Sequence, residues 1–495
     1  MRTAKRAACA GYALLLLALS LGCRTGQLGP SVVSTAHRTP FENVATEAES
    51  TVANDSSASA PNGSEITSND VVQASMQPAS FGQEVSPDDV LPIPTANDSE
   101  WLELEPLVAQ VLSINPDIRS ATAAWRAAAQ RYPQEIALDD PMFGYMLGPG
   151  SWGSDEVDSA YTLEASQKVP WPGKRQLRGS IARAEANAAY FDVEEQRLRI
   201  AQATRFSYYE YFLAHRQLAV LNESTSLLQS FRDIALRKFE SAEAEQQDVL
   251  LADVELAQLE RQRLSLTRAE RVARARINTL LLLAPDSPLA PPPTDLKLRD
   301  SLPSSEELLD LALAQRPELA AQAARIRRER YAAALARKEF LPDMEFVARY
   351  DAFWQEEPLR PMIGMNINVP IYKEKRRAAV REASARGAEQ QAMLESQANE
   401  ISFQVEQSYQ RVQEGAETVK VYRERILPSA RHSVEAAQAS YTAGRLDFLR
   451  LIESQRQLLS LEEGYYAAVA EYHQRLAQLE REAGVPFRNG IERRQ

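Results

Sequence analysis

The sequence predicts a mainly α-helical fold with a small β part, in which two equivalent halves each contain a long helical hairpin. The first observation behind this prediction is the scarcity of helix breakers: no glycine lies between Gly179 and Gly364, and no proline lies between Pro172 and Pro285. Because both residues disfavour helices, so long a stretch without them is expected to be helical. The second and third observations are an internal repeat and a few short segments in which apolar and polar residues alternate.

The repeat relates two halves of the chain. Apolar residues precede an Xaa-Pro-acidic-apolar motif at 115–118, and the same spacing recurs before 316–319, an offset of 201 residues (316 − 115). Phe239 and Tyr441 open similar segments at an offset of 202 (441 − 239). A repeat kept over such a distance implies structurally equivalent halves. We expect a first repeat over 99–285, a proline-rich linker over 286–303, a second repeat over 304–486 and a C-terminal tail over 487–495.

Each half is expected to contain the same elements. A helix of moderate length is followed by two short alternating segments, a very long helix, a break and a second long helix that runs back. Ser304 and Glu307 predict a capping box where the second half begins. The helix from Lys174 to about Arg237 would extend on the order of 95 Å at about 1.5 Å per residue. Its sustained apolar positions predict sideways packing against other helices.

The alternating segments predict strands. Apolar Tyr161, Leu163, Phe346, Tyr350, Ile363, Met365, Ile367 and Val369 are separated by mostly polar or small residues. Such alternation places one set of side chains on each face of a strand. An apolar outer face and a polar inner face are what a transmembrane barrel needs, although an amphipathic strand of a soluble sheet shows the same pattern. Two hairpins per chain are too few to close a sheet, so several chains would have to contribute strands.

The N-terminus predicts export. Arg2, Lys5 and Arg6 precede a short apolar run, and residues 1–22 have the character of a signal peptide. If the peptide is removed, Cys23 is the only cysteine left, and an internal disulfide is excluded. Residues 23–98 are rich in small and polar residues and cannot bury enough apolar surface to repay their ordering, so we expect a disordered tether.

Composition and motifs exclude several functional classes. The chain carries 68 acidic and 56 basic side chains, a net charge of −12, which argues against nucleic acid as a partner. The sequence contains neither an HExxH nor a GxSxG motif and no glycine-rich phosphate loop, and its 4 histidines stand apart from one another. We therefore expect no enzymatic activity, no cofactor and no metal centre. Met344, Met362 and Met365 could suggest contacts with soft metals, but apolar filling is the simpler interpretation.

The residues at 441–455 and 169–175 resemble a known family. Tyr441, Gly444 and Phe448, followed by Leu449, are similar to the second periplasmic hairpin of TolC-type outer-membrane efflux proteins. Residues 426–428, Ile-Leu-Pro, are also typical of that family. The heptapeptide 169–175 resembles the strand-to-helix junction of the CzcC-like branch that serves heavy-metal and cation pumps. The resemblance covers residues 101–484, and Leu19 to Cys23 resembles a lipoprotein box, with ordinary cleavage as the alternative to acylation of Cys23.

The resemblance implies a homotrimer in the bacterial outer membrane. Each chain would give four strands to a 12-stranded transmembrane β-barrel and its long helices to a trimeric periplasmic α-barrel. The helix tips would meet a periplasmic adaptor protein (a membrane fusion protein) that connects to an inner-membrane pump. Adaptor docking is assigned to the tip residues Phe239, Ala242, Asp248, Tyr441, Gly444 and Phe448. Because Ala242 replaces the tip glycine, the first tip is expected as a location and not as a defined turn.

Two further expectations concern transport. Acidic residues near the tips, Glu240, Glu243, Glu245, Asp248 and Asp447, are candidates for carboxylates that attract cations at an aperture. The strand residues named above are assigned to the lipid-facing side. A lipid-anchored periplasmic helical scaffold without a pore is the alternative function, and it explains the long helices but not the alternating strands. The sequence does not separate protein secretion from efflux of metals or drugs.

Overall fold

The computed structural model of the protein describes residues 101–153, 158–299, 301–354 and 356–485. The predicted signal peptide (1–22), the acylation site Cys23, the tether (23–98) and the tail (487–495) lie outside the described residues. Ten helices and four strands lie within them: α1 (Leu104–Ile114), α2 (Pro116–Ala129), α3 (Arg131–Ile136), β1 (Met142–Gly148), β2 (Ala160–Val169), α4 (Lys174–Glu240), α5 (Gln246–Leu280), α6 (Ser305–Gln315), α7 (Pro317–Lys338), β3 (Met344–Asp351), β4 (Pro361–Ile367), α8 (Lys373–Val421), α9 (Leu427–Thr442) and α10 (Phe448–Ala483).

Each half opens with more than one helix where the sequence predicted one: three (α1 to α3) in the first half and two (α6 and α7) in the second. α1 and α2 meet at Asn115, and α6 and α7 meet at Arg316; both residues have extended backbone angles. The cause is the following proline, Pro116 or Pro317, because its ring disfavours the helical conformation of the preceding residue. The Asn115 side chain accepts a hydrogen bond from the Asp117 amide at 2.9 Å and caps the new helix. The predicted capping box of Ser304 and Glu307 is confirmed.

The long helices follow from the absence of breakers. α4 has 67 residues and extends about 100 Å at about 1.5 Å per residue, close to the predicted bounds. In the second half, a π-helical turn at Tyr422–Ile426 separates α8 from α9. Pro428 follows this turn, and since proline has no N–H to donate, the widened turn accommodates it without ending the helical path.

The core extends along the long helices. α4 packs against α5 within its own half and against α7 and α10 of the other half. One apolar cluster joins Leu221 and Phe231 of α4 to Val434 of α9 and to Leu451 and Ile452 of α10. Tyrosine hydroxyls hold the linker between the halves: that of Tyr211 donates to the Ala290 carbonyl, and that of Tyr472 accepts from the Arg299 amide.

The four strands form one antiparallel sheet in the order β1-β2-β3-β4. β2 of the first half pairs with β3 of the second, with Leu163 opposite Tyr350, whereas β1 and β4 are edge strands. Val369 was predicted as a strand residue, and this was wrong because β4 ends at Ile367. Pro370 has no N–H with which to continue a ladder, and the Ile371 amide turns back to the Val369 carbonyl.

The tips of both helical hairpins have the same turn geometry. At the second tip Gly444 has φ +71°, and the Arg445 amide donates to the Ser440 carbonyl. At the first tip Ala242 has φ +60°, and the Glu243 amide donates to the Lys238 carbonyl. This six-to-one hydrogen bond is the Schellman helix end. The expectation that the first tip lacks a defined turn was therefore wrong: alanine adopts the conformation that glycine takes in the second half, at a steric cost.

The steric cost of a Cβ atom at positive φ predicts opposite effects on stability for a substitution at each tip. Ala242→Gly removes a strained Cβ and should stabilise the first tip by about 1 kcal/mol, whereas Gly444→Ala should destabilise the second by a similar amount. Hydrogen exchange of amides 239–246 should slow roughly fivefold in the first variant, and exchange of 441–448 should accelerate in the second. Since a Cβ at Gly444 would meet nothing within 4 Å, only backbone strain is tested there. Faster exchange in Ala242→Gly would contradict the explanation.

Candidate functional site

One face of the sheet is apolar across all four strands. Antiparallel partners lie on the same face, and the register places Phe143 with Ala165, Tyr145 with Leu163, Phe346 with Met365, and Ala348 with Ile363. This apolar face contains Tyr161, Leu163, Phe346, Tyr350, Ile363, Met365 and Ile367, all predicted to be lipid-facing. Ile363 is 92% exposed in the single chain. A contiguous apolar surface of this size indicates a face that is covered in the working protein.

The opposite face of the two central strands is polar. The Arg349 guanidinium donates to Glu164 with its Nε at 2.8 Å. Ser166 donates to Glu345 at 3.1 Å, and Asn366 donates to the same carboxylate at 3.3 Å. These cross-strand contacts fix the register, and a one-residue slip would bring the apolar side chains onto the polar face. The sheet thus separates an apolar side from a polar side.

Strand β1 was not among the strand residues predicted from the sequence. Its residues Met142, Phe143, Tyr145, Met146 and Leu147 are apolar on both faces, with glycines at 144 and 148. Alternation is the usual signal for a half-buried strand, and β1 has none. The position of Pro141 at the repeat offset from Pro342 was the signal that could have located it, because β3 begins at Met344.

A buried lysine holds the sheet to the helices. The Lys174 side chain is 1% exposed, and its Nζ lies 2.9 Å from Asp343 Oδ1 and 3.0 Å from the Leu341 carbonyl. The Trp171 amide also donates to Asp343. Burial raises the pKa of Asp343, but the hydrogen bonds from Lys174 and Trp171 outweigh it, and the net pKa is lowered from 3.8. The junction is thus held by an ionised carboxylate at any pH above this lowered value, and it weakens only as the pH falls through that value.

The two hairpin tips of one chain contact each other. The Tyr441 hydroxyl donates to Asp248 Oδ2 at 3.0 Å, although the two residues lie in different halves. Lys238 donates to the Tyr441 carbonyl at 2.8 Å, and its Nζ lies 5.0 Å from the centre of the Tyr441 ring. The Tyr441 and Phe448 rings are 5.1 Å apart. Lys238 was missed from the sequence because nothing in a local pattern indicates a contact across the two halves.

Burial divides the predicted tip residues into two groups. Tyr441 is 4% exposed and Phe448 is 1% exposed, so both pack inside the chain. Their assignment to an adaptor-docking surface is therefore corrected: the other tip contacts Tyr441, and Phe448 lies in the apolar cluster that joins the hairpins. Phe239, Ala242 and Gly444 are exposed and remain candidates for docking.

The tip is acidic and largely unpaired. Glu240, Glu243, Glu245 and Asp447 are exposed, and no basic group lies within 4.0 Å of their carboxylates among the described residues. Asp248 is half-buried; burial raises its pKa, the Tyr441 hydrogen bond lowers it, and the charges of Glu245 and Asp447 raise it, leaving the pKa above 3.8. A raised pKa means that the folded tip binds the proton better, so the folded tip gains stability as the pH falls through that value.

Other kinds of site were sought in the described part of the chain. No helix there is both long and apolar enough to cross a membrane. No group of three or more metal-ligating side chains comes together within those residues. His473 is buried between aromatic rings, and burial lowers its pKa to about 4. Such a neutral histidine is part of the packing.

Solved structures with the same fold are outer-membrane channels. The outer-membrane channel OprN aligns with a TM-score of 0.65 and 20% identity, covering 77% of this chain and 90% of that one. The outer membrane protein VceC from Vibrio cholerae aligns with a TM-score of 0.66 and 16% identity, covering 78% and 97%. CusC aligns with a TM-score of 0.66 and 15% identity, covering 80% and 96%. No curated protein matches the chain.

The fold, with its long helical hairpins and two-faced sheet, is thus that of the outer-membrane channel proteins. Residues 308–485 match the model of the family described as outer membrane efflux protein, and this match confirms the resemblance predicted from the sequence. Efflux at the outer membrane is the role that the description of this family names, and the match lies in the second half of the chain. The description names a transport role, which agrees with the expectation that the chain is not an enzyme.

The hydrogen bond between Tyr441 and Asp248 predicts that removal of the Tyr441 hydroxyl destabilises the tip. Tyr441→Phe leaves the half-buried Asp248 carboxylate without its donor, which should destabilise the tip by about 1–3 kcal/mol. Tryptic cleavage after the exposed Arg445 should then be at least fivefold faster, since cleavage follows local opening. Tyr465→Phe is the matched control, because its hydroxyl makes no hydrogen bond among the described residues. Equal cleavage rates in the two variants would exclude a stabilising role for the contact.

Proposed function

We propose that the protein is the outer-membrane channel-tunnel of a tripartite efflux system, a passive exit duct for solutes. In this proposal three copies of the chain form the duct. A periplasmic adaptor would contact the tips, and an inner-membrane pump would deliver the solute. The observation that carries the proposal is the two-faced sheet, whose edge strands β1 and β4 have no partner strand among the described residues.

The sheet has the polarity required in a bilayer, and its central strand β2 has the required length. A tilted transmembrane strand needs about 9–11 residues, and β2 has 10. The edge strands β1 and β4 are shorter, with 7 residues each. An open edge is not tolerated in hydrocarbon, because each unpaired backbone group there costs free energy. The edges must therefore pair with strands of further copies.

The repeat indicates where those copies attach. Within the chain the first half joins the second through β2 with β3, α4 with α7, and α4 with α10. Replacing each of these elements by its equivalent in the other half gives the repeat-related contacts, which would form between neighbouring copies. They are β4 with β1, α8 with α2, and α8–α9 with α5. Within the residues that the structure describes, these pairs of elements make no substantial contact, so their surfaces are available to neighbouring copies.

Exposure of equivalent residues supports this assignment. Ile452 on α10 is 1% exposed because α4 covers it, whereas Leu250, its equivalent on α5 at the offset of 202, is 56% exposed. Val254, Leu264 and Val272 extend the apolar surface along α5. A neighbouring copy would bury these residues in the way that α4 buries α10.

The number of copies follows from the width of the duct. Two copies would supply 8 strands, and side chains fill an eight-stranded barrel. Three copies supply 12 strands and leave space for water, so a homotrimer with a 12-stranded barrel is the smallest assembly that conducts. The acidic tips would lie at the periplasmic entrance, where Glu240, Glu243, Glu245, Asp248 and Asp447 attract cations. Metal cations, drugs and proteins all remain candidate substrates.

Lipid contact predicts a face-dependent effect of charge. Met365→Lys places a cation on the apolar face and should cost roughly 2–4 kcal/mol in the membrane. Asn366→Lys, on the adjacent residue, places it on the polar face near Glu345. Purified wild type and Asn366→Lys should form trimers in detergent and pores in planar bilayers, and Met365→Lys should form few of either. A wild-type chain that is monomeric and soluble without detergent would favour the helical scaffold.

The tip carboxylates predict cation selectivity. Replacing Glu240, Glu243, Glu245 and Asp447 by their amides should lower the ratio of cation to anion permeability in single-channel recordings. The amides preserve size and remove charge, so the measurement isolates electrostatics. Glu382→Gln and Glu389→Gln, two exposed positions on α8 far from the tip, provide the control. Unchanged selectivity in the tip variant would exclude these residues from the aperture.

A further inference from the structure

The two longest helices begin with runs of basic residues. Residues 174–183, at the start of α4, contain 4 basic and no acidic side chains. Residues 373–381, at the start of α8, contain 5 basic side chains and one acidic, Glu374. The chain as a whole has a net charge of −12, so these positive segments stand out from an acidic background. Both lie directly after a strand of the sheet.

Part of this charge holds the sheet to the helices. Lys174 is buried against Asp343. Arg376 donates through its Nε to the Glu339 carbonyl at 2.7 Å, and Lys338 of α7 donates to the Pro172 carbonyl at 3.0 Å. These contacts fix the starts of α4 and α8 relative to the sheet, and they account for the basic residues involved.

Four of the remaining basic residues have no such role. Lys373, Lys375 and Arg381 are exposed, and Arg175 is half-buried. No carboxylate of the described residues lies within 4.0 Å of their charged groups. Arg377 is the exception on this surface, since it pairs with Glu374. Lys375 follows Lys174 by the repeat offset of 201, so in the proposed trimer a neighbouring copy would cover it in the way that the second half covers Lys174. The name basic collar is therefore used below for Lys373 and Arg381 alone.

Helix stability does not explain the collar. The partial positive charge at a helix N-terminus favours acidic residues in the first turn and disfavours cations. α8 nevertheless has Lys373 and Lys375 there, and α4 has no acidic residue in its first turn. Cations placed against this preference are expected to serve an interaction that lies outside the helix.

The collar continues the apolar surface of the sheet. Val369, Ile371 and Tyr372 link β4 to α8 and are 66%, 67% and 73% exposed. Along the chain an apolar strand face is therefore followed by an exposed apolar turn and then by cations. This order matches the cross-section of a lipid leaflet, in which acyl chains give way to phosphate groups, and long basic side chains reach such groups from an apolar stem.

We propose that the basic collar binds the headgroups of anionic phospholipids in the leaflet that faces the long helices. This inference rests on the proposed function, since it needs the apolar face of the sheet to lie in a membrane. The Lys373 ammonium and the Arg381 guanidinium would donate charge-assisted hydrogen bonds to lipid phosphate oxygens. The bound lipids would fix the depth at which the sheet sits in the bilayer.

The test compares two double variants of the full-length protein. The collar variant carries Lys373→Gln and Arg381→Gln. The control variant carries Arg411→Gln and Lys420→Gln, which remove the same charge from exposed positions of α8. The control positions begin about 57 Å further along the helix at about 1.5 Å per residue. Each protein is reconstituted in nanodiscs of phosphatidylcholine with a minority of phosphatidylglycerol, and retained lipid is measured by native mass spectrometry.

Wild type and control should retain phosphatidylglycerol selectively, and the collar variant should lose at least tenfold of that selectivity, because each surface cation contributes roughly fivefold. All three proteins should form trimers and pores. Trimers and pores without selective retention, or equal loss in both variants, would overturn the collar and leave the proposed function intact. Displacement of the lipid by inorganic phosphate at matched concentration would also overturn it. A wild-type chain without trimers or pores would overturn both proposals.

Discussion

The structure depends on the contact between the two halves of the chain. The halves are duplicates, and they meet through β2 with β3 and through α4 with α7 and α10. Because the halves are equivalent, each has both of the surfaces that form this contact, but each uses only one of them within the chain. The other surface of each half is left uncovered. The open edges β1 and β4 and the exposed apolar residues of α5 follow from this arrangement. A head-to-tail contact of this kind closes into a ring when the same rotation recurs.

Charge is distributed along the helices in accordance with that architecture. Acidic residues gather at the hairpin tips, and basic residues gather where the long helices leave the sheet. Lys174 and Asp343 hold the sheet end together inside the chain, and Lys238, Tyr441 and Asp248 hold the tip end. Helix α4 is therefore fixed at both ends by polar contacts, through Lys174 and Lys238, while apolar clusters such as that of Leu221 and Phe231 join it to other helices between those ends.

The sequence predicts features that local patterns encode. The bounds of α4 follow from missing breakers, and the strands around Leu163, Phe346 and Met365 follow from alternation. β1 escaped prediction because it is apolar on both faces. The turn at Ala242 escaped because alanine only rarely adopts a positive φ and is tolerated here by the same hydrogen bonds that surround Gly444. The link from Tyr441 to Asp248 spans 193 residues, and no spacing rule indicates a contact over that distance.

The two halves differ in sequence at the tips, and this difference determines which pairs of tips can form a hydrogen bond. The hydroxyl of Tyr441 bonds Asp248 within one chain. At the offset of 202, the equivalent residues are Phe239, which has no hydroxyl, and Arg450, which has the opposite charge. In the proposed trimer the repeat-related contact between neighbouring chains therefore lacks this hydrogen bond. The two tips of one chain are held together by this hydrogen bond, and in that trimer the tips of adjacent chains would not be held in this way. A widening of the entrance would accordingly separate chains before it separated the two halves of any one chain.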